Sequence, residues 1–391
     1  TLVSFFIDMD YYICHNFKSV FTLEISMSFG ENRNKSQILS GITGSLLAIF
    51  FLFFSVGYFY TQILADSSIF GSFLLGVVFL SASTDGLFLL LNIFRKPMKA
   101  AQLSFKSEKL SIIIACFNGE SVISETIRQA SLKVPKSRIY VISDASTDKT
   151  NIIVKALGVN LIVNEENKNK ALSISHAIHN IKTPYVLILD DDTHIEETFI
   201  PTSLLDDGYA AVAFNVMPES TGTLVNLLQQ FEYRKSMVLG KELRAEVGAI
   251  GNVSGAIGLF RTDDLVQQIE THSGQFGGED QQRTMMVHLE SQGKGIAYVN
   301  SIVLTEAPST FYKLFRQRYR SWNCSTHETF FLNIRVILSP KLHYLLKFER
   351  AYLLFILLTD PIRMLFIFHI FLFPINFLIL YLFYVLLETM C

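Results

Sequence analysis

The 391-residue sequence predicts an α/β domain set between transmembrane helices at its N- and C-terminal ends. Half of its residues are hydrophobic, more than one soluble domain needs, and much of the excess lies in long runs toward the two ends. Between about Glu108 and Thr305 the composition turns soluble, and short β-branched runs alternate with helix-like stretches. A formal net charge of −2 supplies no basic field, which argues against nucleic acid as a partner. Cys14, Cys116, Cys324 and Cys391 show no CxxC or metal-like spacing and read as free thiols in a reducing compartment.

Residues 1–37 form an N-terminal segment ahead of the first apolar run. Ile38 to Tyr60 carries no charge and is long enough to span a bilayer, since about 20 helical residues cross the hydrocarbon core. Ile69 to Phe94 repeats the pattern with one interruption, Asp85, which reads as an inward-facing, hydrogen-bonded carboxylate or else as a group lining a pathway. Arg33, Lys35, Arg95, Lys96 and Lys99 flank the outer ends of this pair, whereas the 61–68 link has no Lys or Arg. The positive-inside rule then places the N-terminus and everything after Phe94 in the cytosol.

Five runs read as strands: 110–115, 138–143, 159–163, 185–190 and 209–214. Helix-like stretches separate the first four, notably Ser121 to Leu132 and Lys170 to Ile181. Such alternation predicts a parallel sheet covered on both faces, with ligands outside the carboxyl ends of the strands. Acidic groups fall at those ends. "SDASTD" follows the second strand, and Asp190, Asp191 and Asp192 close the fourth in "LILDDDTHIE".

Three adjacent carboxylates raise one another's pKa, so they need cations or solvent. An Asp-x-Asp pair at a strand end can hold a hard divalent cation that keeps sites open for phosphate oxygens. The alternative is a solvated acidic turn capping a following helix. The loop lacks the Gly of an EF-hand, and no GxxxxGK[ST] phosphate loop occurs in the chain.

Past the domain, Phe311 to Lys347 mixes Lys and Arg with aromatic and aliphatic residues, as expected of amphipathic helices at the cytosolic membrane interface. Ala351 to Leu358 is too short to cross alone. Ile362 to Leu387 is long enough, with Pro374 as an expected kink. Three spans are expected, with a fourth open.

Seven segments occur in a telling order: "SIIIACFNGE" (111–120), "SDASTDKT" (143–150), "NKNKALS" (167–173), "LDDDTH" (189–194), "SGAIGLFR" (254–261), "GGEDQQRT" (277–284) and "RQRYRSW" (316–322). From about Leu110 to Trp322 the chain resembles the processive family 2 glycosyltransferases, the cellulose, chitin and hyaluronan synthases. "SGAIGLFR" and "GGEDQQRT" look closest to the chitin and hyaluronan branch.

The resemblance implies a GT-A (Rossmann-like) domain over about 108–310, which transfers a sugar from a UDP-sugar to a growing glycan with inversion. It implies that Phe117, Asn118 and Glu120 of the first loop, with Asp144, hold the nucleotide, and that Lys170 approaches the diphosphate. Asp190 and Asp192 would hold Mg²⁺ or Mn²⁺, with Asp190 also beside the donor. Asp280, with Glu279, would supply the catalytic base. Ser254, Gly255 and Trp322 would contact the acceptor, and Gln317 and Arg320 the donor phosphates. Three positions depart from the family pattern: Ala145 replaces a frequent Gly, Gln282 stands where many relatives are acidic, and Ser321 separates Arg320 from Trp322. On a helix that insertion turns Trp322 by about 100°.

The expected function is extension of a β-linked polysaccharide by an integral protein of the cell membrane with its catalytic domain in the cytosol. UDP-GlcNAc or a related nucleotide sugar is the expected donor, and membrane lipids surround the spans. Two alternatives stand beside it: transfer of one sugar to a lipid acceptor such as a polyprenyl phosphate or ceramide, and a silent subunit that only binds nucleotide sugar. The intact DxD and ED pairs argue against the silent subunit.

Overall fold

A computed structural model of the chain describes residues 103–246, 248–271, 278–291, 294–318 and 329–370. The expected spans at 38–60 and 69–94 lie outside the described residues, as does most of the one at 362–387.

The first half is built from strand–helix units. Strands β1 (Leu110–Cys116), β2 (Ile139–Asp144), β3 (Asn160–Asn164) and β4 (Tyr185–Asp190) are linked by helices α1 (Ile123–Lys133), α2 (Thr150–Leu157) and α3 (Asn169–Ile178). These four strands are mutually parallel in the order β3-β2-β1-β4. The near-continuous apolar runs of β1, β2 and β4 follow from burial on both faces: Ile112, Ile113, Ile114, Val141, Val186, Leu187 and Leu189 have no exposed surface.

The expectation of a purely parallel sheet fails beyond β4. A two-residue strand β5 (Thr193–His194) and helix α4 (Thr202–Asp206) lead into β6 (Ala211–Pro218). Helix α5 (Leu224–Lys235) then runs through a π-helical turn, Ser236–Glu242, into the short α6 (Leu243–Ala245). Strand β7 (Ile257–Arg261), helices α7 (Thr262–Thr271) and α8 (Glu279–Glu290), and strand β8 (Ile296–Thr305) follow. Among the described residues the sheet has eight strands in the order β3-β2-β1-β4-β7-β6-β8-β5, and β7 is antiparallel to both β4 and β6. Strand β5 also runs antiparallel to its neighbour β8, so the sheet is mixed, and β7 is the strand reversed within its interior.

That reversal decides what meets at the site. In a parallel sheet only strand carboxyl ends reach the ligand edge, but β7 brings its amino end there. The Asp190 N–H donates to Ala256 O at 3.0 Å, so the residues before β7 lie directly beside the aspartate triplet. The triplet does not cap a helix, as the alternative reading had it. It passes into β5, where Thr193 pairs with Thr305 of β8.

Toward the C-terminus, helices α9 (Phe311–Gln317), α10 (Phe330–Leu338) and α11 (Tyr344–Ile370) follow. The expected short segment at 351–358 is not separate, because α11 runs continuously from Tyr344 through Pro361 to Ile370. Val336 and Leu346 pack with Ala249 and Met285, so α10 and α11 share a small core with the site domain. Among the described residues no helix is long and apolar enough to cross a membrane.

Ile188 lies on β4 between β1 and β7 and is 1% exposed, whereas Ile152 on α2 is 69% exposed. Ile188→Ala is expected to cost about 2–5 kcal/mol through lost transfer energy and a cavity. Ile152→Ala should stay within about 0.5 kcal/mol. Thermal or denaturant unfolding of the two variants checks this contrast.

Candidate active site

The carboxyl edge of β1 and β2 forms one wall. Asn118 and Ala145 adopt left-handed φ values of 54° and 60° at the turns that leave these strands. The two turns are laced together: the Asn118 N–H donates to Ser146 Oγ at 3.0 Å and Asn118 Oδ1 accepts from the Thr147 N–H at 2.9 Å. Glu120 is used in the same lacing, accepting from the Lys149 N–H at 3.0 Å. Phe117 stands at the mouth of this wall with its ring half exposed.

Asp144 is buried at the end of β2. It does not cap α2, whose start is instead served by Asp148 accepting from the Thr150 N–H at 3.0 Å. Its Oδ1 accepts from Asn164 Nδ2 at 2.8 Å and from the Lys168 N–H at 2.9 Å, which ties β2 to the loop before α3. That loop delivers Lys170 on the first turn of α3.

Lys170 sits at the centre of the site. Its ammonium contacts Asp190 Oδ1, donates to Gly255 O at 2.7 Å and lies 3.5 Å from Glu279 Oε1. Burial alone would disfavour the charged ammonium, but Asp190 and Glu279 outweigh it and hold its pKa above the ordinary lysine value. Asp190 is pushed up to about 6, by burial first and then by Asp192 and Glu279, with Lys170 opposing. The three aspartates divide by direction. Asp190 faces Lys170, and Asp192 accepts from Thr193 Oγ1 and Thr305 Oγ1 at 3.4 Å each. Asp191 meets Cys116, whose thiol pKa is raised by burial and then by that carboxylate.

Glu279 and Asp280 open α8, where the helix dipole and free N–H groups favour negative charge. Asp280 Oδ2 accepts from Asn252 Nδ2 at 3.1 Å and from the Gly255 N–H at 3.2 Å. Its pKa is nonetheless raised, by burial first and by Glu279 second. Arg283, one turn along α8, lies 3.5 Å from Glu279 and stacks at 5.8 Å over the Phe260 ring.

The structure therefore brings Lys170, Asp190, Gly255, Glu279 and Asp280 together, with Ser254 beside Gly255 in the chain, Asp192 alongside and Asp144 on the neighbouring wall. Gln317 stands apart: among the described residues no hydrogen bond or ion pair joins it to Asp190, Asp192 or Asp280. Beside it, Arg318 binds Glu232 of α5 at 2.6 Å. Arg320 and Trp322 lie outside the described residues.

Sequence reasoning missed Asn252, which had no signal beyond its place just before "SGAIGLFR". It also missed Lys241 in the π-helical turn, which is 6% exposed and whose pKa is pushed down to about 8 by burial despite the charge of Asp280.

Among the described residues no three His, Cys, Asp or Glu side chains form a group that could hold a metal ion by themselves. The donors present still fit a hard divalent cation. Asp190 and Asp192 offer oxygen ligands, and the pKa of each is raised by burial and by neighbouring negative charge, a cost a cation would relieve. With two protein carboxylates, the remaining ligands would come from phosphate and water.

Poly-β-1,6-N-acetyl-D-glucosamine synthase of Staphylococcus aureus is 26% identical over 257 residues, covering 62% of this chain and 61% of that protein. The Staphylococcus epidermidis protein of the same name is 27% identical over 256 residues, with the same coverage. The match thus spans about three-fifths of the length of these curated relatives. In fold, the chain is similar to the solved structure of mannosyltransferase PcManGT from Pyrobaculum calidifontis in complex with GDP-Man and Mn²⁺. The TM-score is 0.51 at 13% identity, covering 82% of this chain and 94% of that one, and the shared architecture is a GT-A-like α/β fold with a mixed sheet. The sequence profile described as "Glycosyltransferase like family 2" matches residues 108–324, more than half of the chain, and the protein belongs to that family.

Proposed function

We propose that this protein is a membrane-embedded, inverting glycosyltransferase that uses a UDP-sugar, UDP-GlcNAc or a close relative, and a divalent metal to extend a β-linked polysaccharide. The observation that carries the reading is the meeting of a cationic Lys170 and a base-like Asp280 across Gly255, next to an Asp190–Asp192 pair suited to a metal. The similarity to two poly-β-1,6-N-acetyl-D-glucosamine synthases supports a polymeric product with N-acetylglucosamine as its unit. Exposed Phe311, Tyr312 and Phe315 on α9, Phe331 on α10, and Tyr344 and Phe348 on α11 support a bilayer against this end of the molecule.

In this reading the nucleotide lies on the β1–β2 wall, with Asp144, Phe117 and Asn118 as its nearest groups. The diphosphate reaches Lys170, which exchanges part of its contact with Asp190 for phosphate oxygens. A cation held by Asp190 and Asp192 would neutralise the charge that builds on the departing diphosphate. Asp280 accepts the proton of the acceptor hydroxyl as that oxygen bonds to the anomeric carbon and the carbon–oxygen bond to phosphate breaks. Asn252 and the Gly255 N–H aim the carboxylate. Glu279 keeps a negative charge beside it, which raises its basicity, while Arg283 keeps Glu279 in place.

Three experiments test the proposal. Full-length protein in native membranes, supplied with labelled UDP-GlcNAc, should yield high-molecular-weight material on size-exclusion chromatography. A single labelled sugar recovered in the lipid extract would instead assign it to lipid glycosylation. Asp280→Asn keeps the size of the side chain and removes the proton acceptor. Turnover should fall by at least about 10²-fold with UDP affinity unchanged. In the unmodified protein the raised pKa of Asp280 places the acid limb of the kcat profile above the ordinary carboxylate range, so activity should vanish as pH falls through it. Weakened UDP binding with normal turnover would remove Asp280 from the proton transfer.

A further inference from the structure

The segment Ala249–Gly255 holds Asp280, and it is itself held from three sides. From α8, His288 Nε2 lies 2.7 Å from Ile250 O, and Thr284 Oγ1 accepts from the Val253 N–H at 2.9 Å. From α6, Arg244 O accepts from the Ala249 N–H at 2.9 Å. The third side is α11. Arg350, 1% exposed, and Glu349, 8% exposed, project into the protein at Gly251. Glu349 Oε1 accepts from Arg350 Nη2 at 2.7 Å and from Arg244 Nη1 at 3.0 Å, joining α11 to α6.

Gly251 fixes how close this cluster comes. A Cβ built there would lie 2.1 Å from Arg350 Nη2 and 2.3 Å from Glu349 Oε1, so the ion pair rests directly on the backbone of the segment. Residue 252, next along, is the asparagine that donates to Asp280. Meanwhile Arg350 Nε and Nη1 and Glu349 Oε2 are buried with no hydrogen-bond partner among the described residues. Burying an arginine with two unsatisfied nitrogens costs free energy that an apolar residue of the same size would avoid. Stability alone does not account for the choice, whereas a rigid seat for the segment does.

We propose that Arg350 and Glu349 are positioning residues for the transfer reaction: they seat Gly251 so that Asn252 meets Asp280, and thereby make the base depend on where α11 lies. This rests on Asp280 being the base. Because α11 leads into the apolar C-terminal run, the arrangement links that end of the chain to the proton-transfer step from Arg350 through Gly251 and Asn252 to Asp280.

The test is a double-mutant cycle on the full chain in detergent or membranes, reading kcat with labelled UDP-GlcNAc and Kd for UDP by calorimetry. Asn252→Ala should lower kcat about 10-fold or more with Kd for UDP unchanged, since Asp144 and Lys170 are untouched. Arg350→Met should do the same, and the Asn252→Ala, Arg350→Met double variant should lose no more than the worse single one, because both act through one contact. If Arg350→Met does not fold, the Glu349→Gln, Arg350→Met pair, which leaves no buried carboxylate charge, takes its place. Normal kcat in the folded Arg350 variant, or losses that simply multiply, would overturn the proposal. An unchanged kcat in Asn252→Ala, with Asp280→Asn still impaired, would overturn the inference and leave Asp280 as the base, whereas normal turnover in Asp280→Asn would remove both.

Discussion

The site depends on one partly buried cation, Lys170. Asp190, Asp192, Glu279 and Asp280 gather at the carboxyl edge of the sheet, and that much like charge partly shielded from water is tolerable only with a counter-charge among it. Lys170 supplies it through Asp190, Glu279 and the Gly255 carbonyl. Each of these partners comes from a different element: the end of β4, the start of α8 and the approach to β7. The ammonium is therefore the point at which three separate parts of the chain are fixed relative to one another. It is also the group that an incoming diphosphate would compete for, so in the proposed reaction assembly and donor binding would use the same charge.

The mixed sheet is what makes this meeting possible. Had β7 been parallel to β4, the segment before it would have emerged at the opposite edge, far from the aspartates. Antiparallel pairing of Leu189 with Ile257 puts Gly255 within reach of Lys170 on one side and Asp280 on the other. The same reversal lets a helix N-terminus, with its affinity for negative charge, present Glu279 and Asp280 toward the strand ends.

Much of this was legible in the sequence for identifiable reasons. Strands β1, β2 and β4 are buried on both faces, so their β-branched runs are nearly unbroken, and Asp190 and Asp192 stand out where a run stops. Glu279 and Asp280 are visible because two glycines precede a helical pattern. Strand β7 was hidden because Gly258 interrupts five residues that read as part of a motif, and its direction is set by pairing, which no local pattern encodes. Asn252 and Arg350 owe their roles to contacts about 30 and 100 residues away in sequence. Arg350 in particular, lying just before an apolar stretch, looks like one of the charges that flank a membrane segment rather than a buried group.

If this edge of the sheet is the donor site, a structure determined with UDP and Mn²⁺ will show an anomalous Mn²⁺ peak bound by Asp190 and Asp192, the diphosphate against that ion and Lys170, and the uracil ring on the Phe117–Asp144 wall. Nucleotide bound elsewhere, or bound here with Lys170 still locked on Asp190 and no metal between the carboxylates, would contradict that assignment.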